Sequence, residues 1–311
     1  MFFVEEWKMK KLVVLCMVVS LVCAANAATL RYQGSGAWDA VIEVDGTGWF
    51  LDGQPAPRTT VVPGSGDLVR ANYGGGTISL NFETTVNQFQ LGVNESGTFH
   101  IQNGGILNTV NGNNKIGNNN SCTGTMLIDA GGTVNSTGWL MIAGSTSVTG
   151  VADVSGTLNS AGHLWMATGT GSTATLNIND GGIVNVGGMI CLGAVAPALG
   201  TATGGAATVN IYDGGLLALS NIHSDLTTGD SIREGSSLNL WGEGAVSLPG
   251  NFVNVMNNYI AAGGIYGNGI EGNVVANYDS IANKTFVTAV PEPATLSLLG
   301  LGALALLRKK K

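Results

Sequence analysis

The sequence predicts an all-β fold, a parallel (right-handed) β-helix solenoid of about six coils with an N-terminal cap and a hydrophobic C-terminal helix. Three observations carry that expectation. A turn glycine recurs at Gly105, Gly132, Gly156, Gly182, Gly215 and Gly244, at intervals of 27, 24, 26, 33 and 29 residues. An alternating strand precedes it, as in FHIQNGG, MLIDAGG, TLNINDGG and TVNIYDGG, and more loosely in VADVSG and LNLWGEG. An apolar residue and then an asparagine follow it: Leu107-Asn108, Val134-Asn135, Leu158-Asn159 and Val184-Asn185, with Ala218 and Ser247 in the same place in the last two copies.

Residues 81–250 hold these repeats. Each period contains three short apolar pieces, the third being WLMIAG, HLWMATG or MICLG, and no helix-length segment. One coil cannot bury its apolar side alone, so the coils must stack. Glycine belongs at the bends because positive φ strains any residue with a Cβ. Asn108, Asn135, Asn159 and Asn185 predict a ladder in which each amide bonds the coils on either side. A sandwich of hairpins is the alternative, since Asx-Gly-Gly also closes a hairpin. Gly makes up 48 of 311 residues and charged residues only 11 %. Stacked like charges would repel along the whole axis, which fits that scarcity.

The flanking segments differ. Residues 28–80 contain Trp38 and Trp49 and read as an N-terminal cap that plugs the stack. Residues 251–290 read as a C-terminal cap: a short helix near Phe252 to Ile260, then a hairpin of NVVANY and KTFVTAV. Residues 1–27 read as a signal peptide, with Lys8, Lys10 and Lys11 before an apolar run. Small residues at Ala25 and Ala27 place the signal peptidase cut before Ala28. Residues 291–311 close the chain: after Val290 come Pro291-Glu292-Pro293, an uncharged stretch over 294–307, and the basic tail Arg308, Lys309, Lys310 and Lys311. Such a segment behaves as a short transmembrane helix with its cations on the cytoplasmic side. Its 14 residues are short for a bilayer core of about 30 Å, which suits a transient sorting element.

This order of PEP, apolar helix and basic cluster resembles the PEP-CTERM sorting signal of bacterial surface proteins. The resemblance implies exosortase as a processing partner, membrane engagement through the C-terminal helix before processing, and delivery to the cell envelope or outer surface. The Trp-containing cap, the GG-punctuated coils and the PEP tail together resemble autotransporter-like PEP-CTERM repeat proteins. That resemblance implies a structural or adhesive role at the surface or in an extracellular matrix.

The residues supply little chemistry. Asp129, Asp153, Asp180 and Asp213 are the candidate carboxylates for glycoside cleavage, which needs two of them facing one cleft. Asp180 and Asp213 share the pre-Gly-Gly position with Asn103, where an Asx side chain serves the turn. His100, His163 and His223 fall in different coils, and no spacing marks a zinc, phosphate or dinucleotide site. The expectation is therefore no catalytic residue, no metal and no cofactor. Trp139, Trp165 and Trp241 are candidate sugar platforms wherever they point outward, with extracellular polysaccharide as the partner, though Trp165 within its apolar run reads as core filling. A lyase or glycosidase, or a carbohydrate-binding protein, is the rival on the same scaffold. Cys122 and Cys191 are expected as free thiols, 69 residues apart. Residues 28–290 carry 6 basic and 17 acidic residues, a net charge of −11, which disfavours nucleic acid.

Overall fold

The computed structural model describes residues 28–33, 36–38, 48–51, 62–73, 75–119, 121–193, 204–223 and 231–291. The predicted signal peptide with Ala25 and Ala27, and the predicted helix over 294–307 with its basic tail, lie outside them. The described chain is almost entirely β. Its strands form one 10-stranded and one 16-stranded sheet, consistent with a β-helix-like solenoid.

The pairing resolves into three parallel ladders that the chain visits in a fixed order. The first contains Leu68–Tyr73, Gln88–Leu91, Asn114–Ile116, Leu140–Ile142 and Leu164–Met166. The second contains Thr77–Leu80, Gly97–Ile101, Thr123–Ile128, Thr149–Val154, Thr173–Ile178, Ala206–Ile211 and Ser237–Leu240. The third contains Glu83–Val86, Ile106–Thr109, Thr133–Ser136, Thr157–Ser160, Leu216–Asn221 and Ala245–Pro249. The long strand Ile183–Leu192 belongs to two of them: its start continues the third ladder and its end the first.

Period-two alternation gives each ladder an inner and an outer face. Inward residues stack by type along the axis. Ile101, Ile128, Val154, Ile178, Ile211 and Leu240 form one column, and Leu107, Val134, Leu158, Val184, Leu217 and Val246 another, all buried. Each such side chain is worth about 1.5–3 kcal/mol on burial, so stacking coils supplies what one coil cannot. Polar residues are buried as well, among them Thr109, Asn114, Ser136 and Ser160. Asn114 is fully buried at the corner after the third ladder, where its Oδ1 accepts the Phe89 N–H (3.0 Å). Its amide donates to Thr109 Oγ1 (3.0 Å) and Ser136 Oγ (2.8 Å), so it is well satisfied.

The Gly-Gly turn joins the second ladder to the third, and its two glycines are there for different reasons. Gly131 holds φ at +82°, the left-handed region. Gly132 does not, but a Cβ on it would stand 2.7 Å from the Ile101 carbonyl oxygen of the preceding coil. The second glycine is thus a close-approach position, which is why it marks the period so regularly.

Both ends of the stack are closed. Trp38 and Trp49 are buried edge-to-face at 5.0 Å, with Tyr32 and Phe99 packed on either side. The Trp49 Nε1–H donates to the Trp38 carbonyl (2.7 Å), and strand Gly48–Leu51 runs antiparallel to Thr29–Gln33. The first ladder includes Thr29–Gln33, in parallel with Leu68–Tyr73, so rungs already occur within residues 28–80. At the other end, helix Val253–Ala262 buries Met256 and Tyr259. The Tyr259 hydroxyl accepts the Ser231 N–H (2.9 Å) and donates to the His223 carbonyl (2.8 Å). Hairpin Val274–Asp279 and Lys284–Ala289 then pairs antiparallel with Ala245–Pro249 and ends the parallel series.

Candidate functional site

The last described strand leads into the predicted sorting segment. Lys284–Ala289 is held on both sides, by Ala245–Pro249 and by Val274–Asp279. Val290 is pinned just beyond it: its N–H donates to the Asn273 carbonyl (2.9 Å) and its carbonyl accepts from Asn268 Nδ2 (3.4 Å). Pro291, the last described residue, is exposed. It has no N–H to continue a ladder. Glu292, Pro293 and residues 308–311 follow outside the described residues.

On the outer face of the third ladder, Asn108, Asn135, Asn159 and Asn185 are joined amide to amide. Each Nδ2 donates to the Oδ1 of the coil before: Asn135 to Asn108 (2.8 Å), Asn159 to Asn135 (2.7 Å) and Asn185 to Asn159 (2.8 Å). Asn108 donates in turn to Glu83 Oε1 (3.0 Å). A carboxylate accepts without needing to donate, so it terminates the chain cleanly. Beyond Asn185 the column continues with Ala218 and Ser247. These small residues leave a groove of about 480 Å³ running from Asn135 to Lys284, and among the described residues no carboxylate lines it.

A second amide ladder, absent from the sequence reading, runs on the outer face of the second sheet. Asn239 donates to Asn210 (2.7 Å), Asn210 to Asn177 (2.8 Å) and Asn177 to Asp153 Oδ1 (2.6 Å). It too ends on a carboxylate. The signal was present in TLNIND, TVNIYD and SLNLWG, where an asparagine holds the same place in the alternating strand.

The four candidate aspartates have different partners, and Asp180 and Asp213 hold the same turn position in successive coils. Asp129 pairs with His100 Nε2 (2.9 Å), Asp153 ends the ladder, and Asp213 Oδ1 accepts the Glu243 N–H of the next turn (2.7 Å). Asp180 lies beneath Gly214, one coil along. Among the described residues no cluster of three His, Cys, Asp or Glu side chains could hold a metal ion.

The aromatic candidates separate. Trp139, His163 and Trp165 come together on the outer side of the first ladder, with ring centroids 5.8–6.1 Å apart. His163 Nδ1 accepts the Met189 N–H (2.9 Å), which leaves Nε2 to carry the proton of the neutral ring. Trp165 is only 2 % exposed and packs with Cys191, Met141 and Met189 in a cluster apart from the main core. It therefore offers no open ring face. Trp241, on the second sheet, is 38 % exposed.

Cys122 and Cys191 are free and buried. Burial pushes the Cys191 thiol up to about 12, with the nearby Arg233 charge opposing it. Burial, with a smaller contribution from the Glu95 charge, raises Cys122 as well. Burial also lowers Lys115, which follows Gln90 and precedes Met141 on the outer face of the first ladder.

Residues 289–311 match a family model described as the PEP-CTERM protein-sorting motif. The match begins on Ala289, where the last described strand ends. It indicates export and exosortase-dependent sorting of a secreted surface protein. No curated protein and no solved structure matches the chain. Among the described residues no helix is long and apolar enough to cross a membrane.

Proposed function

We propose that the chain is a sorted cell-surface or matrix protein whose body is a non-catalytic structural or adhesive right-handed β-helix. On this reading the three ladders close around one core, and the predicted helix over 294–307 engages the membrane until exosortase acts. The observation that carries it is how the body spends its polar side chains. Two outer faces are covered by amides bonded to one another, and Glu83 and Asp153 terminate those chains. Asp129 and Asp213 are engaged by the His100 ring and by the Glu243 N–H. A surface organised this way resists unravelling.

Cell fractionation of the native host with the full chain, and with a variant lacking residues 291–311, tests the destination. The full chain is expected in the surface fraction and the truncated one in the periplasm. Identical distribution of the two would overturn the sorting role. Incubation of the exported protein with a panel of polysaccharides tests the absence of catalysis, and release of new reducing ends would contradict it.

A further inference from the structure

Near the C-terminal end of the second ladder, the outer face changes character. Asn210, Asn239 and Tyr266 are register partners in three successive rungs. Two residues further along each rung stand Tyr212, Trp241 and Asn268. They keep the register past the strand ends, since their N–H groups donate to Ile178, Ile211 and Leu240 carbonyls at 2.8–2.9 Å. Tyr212 and Trp241 are 39 % and 38 % exposed, in a protein whose Trp38, Trp49 and Trp165 are buried and whose Trp139 is half-buried. Beside them the amide ladder stops. Asn239 donates its amide to Asn210, but the next rung offers Tyr266, so Asn239 Oδ1 has no amide donor above it.

We propose that Tyr212, Trp241 and Asn239 form a binding surface for a neutral polysaccharide. A pyranose ring has an apolar C–H face and a rim of hydroxyls. The electron-rich face of an exposed indole or phenol receives the first. The open Asn239 carbonyl and the Trp241 Nε1–H receive the second. Successive rungs lie about 4.8 Å apart, so a polymer lying along the axis meets Tyr212 and then Trp241. Charge selects against acidic polymers. Asp213 and Glu243 stand exposed in the adjoining turns, and the strands Ala206–Ile211, Ser237–Leu240 and Ile265–Gly267 contain no Lys or Arg. Two rings flanked by amides and carboxylates make too small an apolar patch for a stable protein interface. The surface rests on the non-catalytic reading only for the fate of the polymer, which is held and not cut.

The test is native affinity electrophoresis of the full chain in mild detergent. Gels are cast with neutral β-glucan, α-glucan or galactomannan, and with alginate as the anionic comparison. Mobility is expected to fall in at least one neutral gel and not in alginate. Trp241→Ala should weaken that retention about five-fold or more, and Trp241→Phe should restore it to within about two-fold. Trp139→Ala, on the first ladder, should leave it unchanged. Unchanged mobility in every neutral gel, stronger retention in alginate, or retention insensitive to both Trp241→Ala and Tyr212→Ala would overturn the proposal. Circular dichroism confirms that each variant folds, and the Phe variant decides the matter if the Ala variant does not. New reducing ends in the retained band would refute the non-catalytic reading while leaving the binding surface standing.

Discussion

The two glycines of one turn should respond oppositely to what their backbone angles suggest. Gly181 has φ of +70° and nothing within 4 Å of an added Cβ. Gly181→Ala therefore carries the left-handed strain alone, about 1–2 kcal/mol. The less flexible unfolded chain returns about 0.4–1 kcal/mol of that, for a net cost near 1 kcal/mol. Gly182 has an ordinary φ, yet a Cβ there runs into the Val154 carbonyl oxygen and stands 2.9 Å from that of Asn179. Both obstacles are backbone, so no rotamer relieves them. The corner must shift by about 1 Å, in packing that tolerates little displacement. Such a shift breaks the bond from the Asn179 N–H to the Val154 carbonyl (2.9 Å) and strains that from Ile183 to Gly156 (2.9 Å). One lost bond with a carbonyl left buried costs about 2–4 kcal/mol, so Gly182→Ala should cost about 3 kcal/mol net. Urea denaturation followed by far-UV circular dichroism compares the two variants, with hydrogen exchange reporting the affected coil. If Gly181→Ala destabilises as much as Gly182→Ala, the close-approach account of the repeat glycine is wrong.

Two other outcomes follow from the buried and laddered groups. The Cys191 thiol is raised from 9.0 to about 12, so the folded state keeps its proton where the unfolded state has lost it. The resulting stability is fully present below pH 9 and drains away towards pH 12, at up to about 1.4 kcal/mol per pH unit. Denaturation midpoints across that range should fall more steeply for the native chain than for Cys191→Ala, and parallel curves would refute the assignment. In the third-ladder chain, Asn159→Asp replaces an N–H that donates to Asn135 with an oxygen facing an oxygen. The change should cost about 1–3 kcal/mol at neutral pH, and the deficit should shrink as the pH falls below about 4 and the carboxyl regains a proton to donate. A deficit independent of pH would show that the ladder bond is not what was lost.

What could be read from residues alone was whatever the backbone demands of them. The period was visible because the close approach at Gly132, Gly182 and Gly215 admits no side chain, so every coil with that turn must repeat the glycine. The earlier rungs were less visible for the same reason. Between Thr77–Leu80 and Glu83–Val86 the chain turns through Asn81 and Phe82 without a glycine pair, so strands fully paired in parallel lacked the marker. Side chains on the outer faces obey a weaker rule, since solvent accepts almost any polar residue there. The second ladder hid in that freedom: Asn177, Asn210 and Asn239 satisfy the alternation anyway, and His100 and Leu127 interrupt the column below Asp153. Trp165 was obscured by its neighbours. The run Leu164-Trp165-Met166 reads as core throughout, yet the alternation turns Leu164 and Met166 inward and Trp165 outward, onto Cys191. The outer faces are thus where this scaffold is free to differ from coil to coil. That freedom is what allows amides to give way to exposed rings at Tyr212 and Trp241 while the inner columns and the close-approach glycines Gly215 and Gly244 continue beneath them.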